Sequence, residues 1–95
     1  MIVKNPNNYV LVNFRKSKTK NKKYDAILRN KITYKLKYVP FGDVRYEQYH
    51  DQTPLKLYSY LDHGDKKRRD LYYERHSKDI NNKFSSGYFS YHYLW

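Results

Sequence analysis

The fold class this sequence predicts is α+β: a small three-stranded antiparallel meander at the N-terminus followed by two or three short helices. Three observations lead there. Runs of β-branched and aromatic residues with two-residue alternation occupy the first forty positions. Helix-capping residues followed by three- and four-residue spacings occupy the rest. Pro40 and Gly42 separate the two regions. Ninety-five residues suffice for one domain, 1–95, with a basic strand-rich part over 1–40 and a helical, Tyr-rich part over 41–95.

The first strand is expected over 9–14, where Tyr9, Val10, Leu11, Val12 and Phe14 form a β-prone run. Positions 15–23 hold six cations and no acid, and like charges at that density predict a flexible loop. A second strand follows over 24–29, and Asn30-Lys31 reads as a tight turn because Asn tolerates positive φ. In the third strand Ile32, Tyr34, Leu36 and Tyr38 alternate with Thr33, Lys35 and Lys37, giving one apolar and one basic face. Pro40 is expected to stop the ladder, and Arg29, Lys35 and Lys37 to lie on its open face.

Thr53-Pro54 predicts a short helix through Tyr60, since Thr caps and Pro suits the first helical position. Asp65 caps a second helix from Lys66 to about Ser77. Arg68, Leu71, Tyr72, Arg75 and His76 share one face of it, and Asp65 with Arg69 and Glu74 with Lys78 are spaced for ion pairs. A polar linker over 79–83 leads to a final aromatic helix capped by Ser85 or Ser86 and ending at Tyr93-Leu94-Trp95.

Composition narrows the function classes. The absence of cysteine excludes disulfides, thiolate zinc sites and cysteine nucleophiles. No apolar run approaches the ~20 residues that span a bilayer, so a chain that is soluble, not secreted and not inserted in a membrane is expected. Net charge is +11, and its placement is uneven: residues 1–40 carry eleven Lys/Arg against the single acid Asp25, and residues 41–95 carry nine against eight. That asymmetry points to an anionic partner: nucleic acid, membrane headgroups or an acidic protein surface. Thirteen tyrosines with Trp95 and the arginines are the residue types of interface hot spots, and they also fill the seam between a sheet and its helices.

From Phe41 onward the chain resembles a family of small basic proteins encoded by nucleocytoplasmic large DNA viruses. The residues that carry it are Phe41-Gly42, Asp51, Thr53-Pro54-Leu55-Lys56-Leu57-Tyr58, Leu61-Asp62-His63 and Asp65-Lys66-Lys67-Arg68-Arg69. Leu71-Tyr72-Tyr73, Arg75-His76, Phe89-Ser90 and Tyr93-Leu94-Trp95 complete it. The resemblance implies a viral source, with the virion, and the host cytoplasm during assembly, as the expected location. It transfers no activity and no site residues.

Several constellations have a plain reading beside a functional one. Arg15, Lys16, Lys18, Lys20, Lys22 and Lys23, extended by Arg29, Lys35 and Lys37, could neutralise phosphates or meet an acidic protein, yet no base-reading motif accompanies them. Lys66-Lys67-Arg68-Arg69 is largely cancelled by Asp62, Asp65 and Asp70 and reads as a solvated helix face. His50, His63, His76 and His92 match no metal-ligand spacing, and no carboxylate pair, nucleophile or phosphate-cradling glycine loop stands out. The expectation is therefore a non-enzyme without metal, cofactor or small-molecule substrate. It is read as a minor capsid or virion component whose Tyr72, Tyr88 and Trp95 meet other virion proteins, the alternative being a DNA-binding accessory for packaging, replication or transcription.

Overall fold

The computed structural model describes residues 2–95. Strands β1 (Tyr9–Lys16), β2 (Lys22–Asn30) and β3 (Leu36–Asp43) form an antiparallel sheet in the order β1-β2-β3, so the predicted meander is present. Helices α1 (Lys66–His76) and α2 (Ser86–Tyr93) follow, with single 3-10 turns at Pro6–Asn8, Ser59–Leu61 and Ser77–Asn81.

The basic stretch 15–23 is not a flexible loop. β1 and β2 run into it from both sides, and the chain reverses over 17–21 with Asn21 at φ 66°. Asp25, the one acid of the first forty residues, makes this possible. It faces Arg15 across the ladder, is 2% exposed, and accepts from Arg15 Nε at 2.9 Å and Ser17 Oγ at 2.7 Å. The Arg15 guanidinium also lies 3.8 Å from the centre of the Tyr38 ring.

The turn after β2 is longer than Asn30-Lys31. Asn30 Oδ1 accepts from the backbone of Ile32 and Thr33, Tyr34 adopts φ 61°, and the ladder resumes only at Leu36. Ile32 and Tyr34 therefore stand on an exposed turn, and the phase of the third strand is opposite to the one predicted. Val39 and Phe41 are fully buried, and Lys37 shares their side of the strand; Leu36 and Tyr38 point to solvent with Arg29, and Lys35 lies in the turn. Pro40 does not end the strand: it pairs with Asp25 on an edge strand, where a missing donor is tolerated, and its carbonyl accepts from Ser86 Oγ at 2.6 Å.

The inner face of the sheet, built from Phe14, Tyr24, Ala26, Leu28, Val39 and Phe41, packs against Tyr58, Phe84, Phe89 and Leu94 in one cluster. Most aromatic rings meet edge-on or tilted, as in Phe14 to Tyr93 at 4.7 Å and Phe41 to Phe89 at 5.5 Å, while Phe84 stacks on Phe89 at 5.7 Å.

No α-helix forms after Thr53-Pro54. Thr53 Oγ1 donates to Asp51 at 2.6 Å and accepts from Lys56 N, and Lys56 at φ 51° ends the turn before a second could form. Both later helices are capped as expected: Asp65 accepts from the amides of Lys67 and Arg68, and Ser85 from that of Tyr88. Asp65 is thereby engaged at the cap and does not pair with Arg69, whose guanidinium lies instead over Tyr49 and Tyr73. Glu74 and Lys78 are likewise unpaired among the described residues, because α1 ends between them at His76.

Candidate functional site: an open sheet face and an arginine-lined cleft

The predicted basic patch is divided by the topology. Successive turns of an antiparallel meander lie at opposite ends, and the nine residues of β2 separate them by about 30 Å. Lys16, Lys18 and Lys20 are exposed around the first turn, while Arg29 and Lys35 are exposed at the second. Lys22 and Lys37 are half-buried. Arg15 is taken up by Asp25 and Tyr38.

Lys23 is not a surface contact at all. It is 2% exposed, its ammonium donates to the Tyr46 carbonyl at 2.9 Å and to Gln48 Oε1, and burial outweighs nearby carboxylates to bring its pKa down to about 8. It belongs to a buried polar network that sequence reading missed. Gln48 passes its amide on to the Tyr58 carbonyl and Asp62; Asp51 accepts from Tyr24 Oη at 2.5 Å, Thr53 N and Oγ1, and Tyr58 N. Together these bonds moor segment 44–65, which lacks long helices or strands, to Lys23 and Tyr24 at the start of β2. Burial and the Asp51 bond push the Tyr24 phenol up to about 12.

Between the strand ends the outer face is open around Arg29, Leu36 and Tyr38, while Asp25 on the same face is covered by Arg15 and Ser17. Arg29 and Leu36 are neighbours across the ladder, as are Ile27 and Tyr38, and Asp25 and Pro40. A bulge at Val12 adds a further apolar residue on β1. Leu36 is 52% exposed and Tyr38 38%, although both sit on the regular ladder, and Val12 at the bulge is 44% exposed.

On the helical side a cleft of about 660 Å³ opens between α1, α2 and the end of β3. Its walls include Arg45, Arg68, Tyr72, Arg75, His76 and Trp95, so the α1 face picked out by spacing is the one that lines it. A smaller cavity bounded by Arg68, Leu71, Arg75 and Trp95 adjoins it. Tyr72 stacks on Trp95 at 4.3 Å with the rings 3° from parallel, and on His76 at 4.2 Å. Burial pushes the Tyr72 phenol well up. Two of the cleft arginines are engaged: Arg45 makes a two-point contact with Asp43, holding that carboxyl well below its usual range, and Arg68 reaches Glu47 at 3.2 Å.

The three predicted interface aromatics do not form one surface. Tyr72 and Trp95 are partners at the cleft, whereas Tyr88 packs edge-on against Phe84 and Phe89 beside the core. Much of the tyrosine excess is absorbed internally in this way. Among the described residues no three His, Asp or Glu side chains converge as a metal site, and no helix is long and apolar enough to cross a membrane. No family model, curated protein or solved structure matches this chain.

Proposed function

We propose that this chain is a non-enzymatic docking protein, a structural component of a virion that seats its open sheet face on an acidic protein neighbour. The observation that carries the reading is the exposure of Leu36, Tyr38 and Val12 on the solvent side of an otherwise well-packed sheet. Apolar side chains held on a rigid strand lose little entropy when covered, and their burial supplies the affinity. The partner is taken to be acidic because the face lies between two cationic turns in the part of the chain that carries ten of its eleven net charges. Charges at the rim of such a contact steer the encounter and exclude basic competitors. The viral setting comes from the resemblance of residues 41–95 and from nothing else.

This reading moves the docking surface from the Tyr-rich helices to the strands. Its test is a fractionation of purified virions into shell and DNA-containing core, followed by immunoblotting. The wild-type chain should remain with the shell, and a Leu36→Asp/Tyr38→Asp double variant that folds normally should be lost from particles. Undiminished incorporation of that variant overturns the assignment of the face. A second reading, DNA binding, is favoured by the exposed Lys16, Lys18 and Lys20 at one pole. On that reading Lys18→Gln/Lys20→Gln weakens DNA binding evenly across sequences and flattens its salt dependence; an unchanged slope rules it out.

A further inference from the structure

The cleft on the helical side is separate from the sheet face, and its chemistry selects a different kind of contact. Arg75 lines both cavities and has no carboxylate partner among the described residues, unlike Arg45 and Arg68. Arg68 is held only by the exposed Glu47, a contact that a competing carboxylate can replace at small cost. These two guanidinium groups stand seven residues apart on α1, which is two turns or about 10 Å of rise. Leu71, 50% exposed, and an edge of Trp95 lie between them.

An anion alone would leave this apolar floor uncovered. A nucleic-acid base would need an open aromatic face, but the stacked rings are used internally: Tyr72 lies against both Trp95 and His76, and His63 sits 5.1 Å from Trp95. Two carboxylates about 10 Å apart with apolar side chains between them match Arg68, Arg75 and the apolar surface between these two, while Asp43 and Glu47 on the walls stay with Arg45 and the cleft rim. A peptide in the polyproline II conformation, with three residues per turn and a rise of about 3.1 Å, brings positions i and i+3 to one side about 9 Å apart.

We propose that the cleft is a binding site for an acidic-apolar peptide segment of a partner protein. Arg68 and Arg75 each receive a carboxylate, and Leu71 with Trp95 receives the apolar side chains between. Each guanidinium presents a planar fork that matches a carboxylate at two points. The protein thereby has two docking surfaces, one on each side of its core, and can join two neighbours. This inference stands whether or not the sheet face meets an acidic protein.

Trp95 is the sole tryptophan, so its fluorescence reports on the cleft directly. The full chain is titrated with a ten-residue peptide containing Glu-Leu-Leu-Glu, with a Glu-Glu-Leu-Leu isomer, with inorganic phosphate and with oligothymidylate. A saturable change is expected with the first peptide, weaker with its isomer, and weakened about tenfold in Arg75→Gln, the loss of one charge-assisted contact. Lys66→Gln, the same charge change on an exposed side chain at the start of α1, should bind as the wild type does. No response to the first peptide, or equal weakening by both substitutions, overturns the proposal. Equal or tighter response to phosphate or oligothymidylate overturns it as well, and gives the cleft to phosphate or to nucleic acid instead.

Discussion

Asp51→Ala removes the carboxylate on which the buried network converges. In the native chain it is fully buried and accepts from four donors: Tyr24 Oη, Thr53 N, Thr53 Oγ1 and Tyr58 N. Alanine leaves all four without their acceptor. An orphaned buried donor costs about 1–3 kcal/mol, but the donors are adjacent and relaxation or water entry recovers part of the loss, so about 4 kcal/mol is expected in total. That is a large share of the roughly 5–14 kcal/mol available to a domain of this length. Urea unfolding followed by far-UV circular dichroism should show the midpoint falling by about 3 M at a slope of about 1–1.5 kcal/mol per M. Tyr24→Phe, which also strips the Leu57 amide of its acceptor, should cost about 2 kcal/mol, and less than additively when combined with Asp51→Ala. A loss below about 1 kcal/mol for Asp51→Ala, or strict additivity of the pair, would refute the view that this network holds segment 44–65 in place.

Stability should depend on alkaline pH in two opposed ways. Lys23 is held at about 8 against 10.5 in an unfolded chain, so its contribution is present above 10.5 and lost as pH falls through 8; Tyr24, raised to about 12 from 10, contributes fully below 10 and loses that contribution towards 12. Thermal melts should therefore improve from about pH 7.5 to 9.5, and a falling profile over that range would contradict the burial of the Lys23 ammonium. Gly42→Ala should destabilise by about 2–3 kcal/mol, because φ is +74° and a Cβ would lie 2.9 Å from Leu94 Cδ1; Gly64→Ala, at +64° with open space around it, should cost only about 1 kcal/mol, and equal losses would show that crowding at Gly42 is relieved freely. Asp65→Ala should cost about 1 kcal/mol and fray the start of α1, measured by amide exchange of Lys67 and Arg68.

The elements legible in the sequence were those with a local cause. Asp65 and Ser85 announce helices because a cap acts within three residues, and the spacing of Arg68, Tyr72, Arg75 and His76 correctly grouped the side chains that line the cleft. The third strand misled because its apolar alternation starts in the turn: Ile32 and Tyr34 continue the pattern of Leu36 and Tyr38 but precede the ladder, and the buried pair Val39 and Phe41 lies in the opposite phase. That alternation places Leu36 and Tyr38 on the buried side, so it carries no sign of the exposed face they form. Lys23 looked like one more cation of a basic run, since nothing within nine residues of it hints at Gln48 or at a carbonyl from Tyr46. Asp25 carried a clue that could have been used: a lone acid beside six cations is where those charges would be organised.

The mooring of segment 44–65 to β2 also governs the order of events in folding. The meander joins strands that are consecutive in the chain, so its hairpins close over short spans and can form early. The network bonds that reach β2 join residues 23 to 33 apart, from Lys23 with Tyr46 to Leu57 with Tyr24, and they require β2 to be in place before they gain anything. They should therefore tighten after the rate-limiting barrier. The sheet would then set how fast the chain folds, while the polar network sets how long it stays folded, and weakening the network would shorten the lifetime of the native state with little effect on its rate of formation.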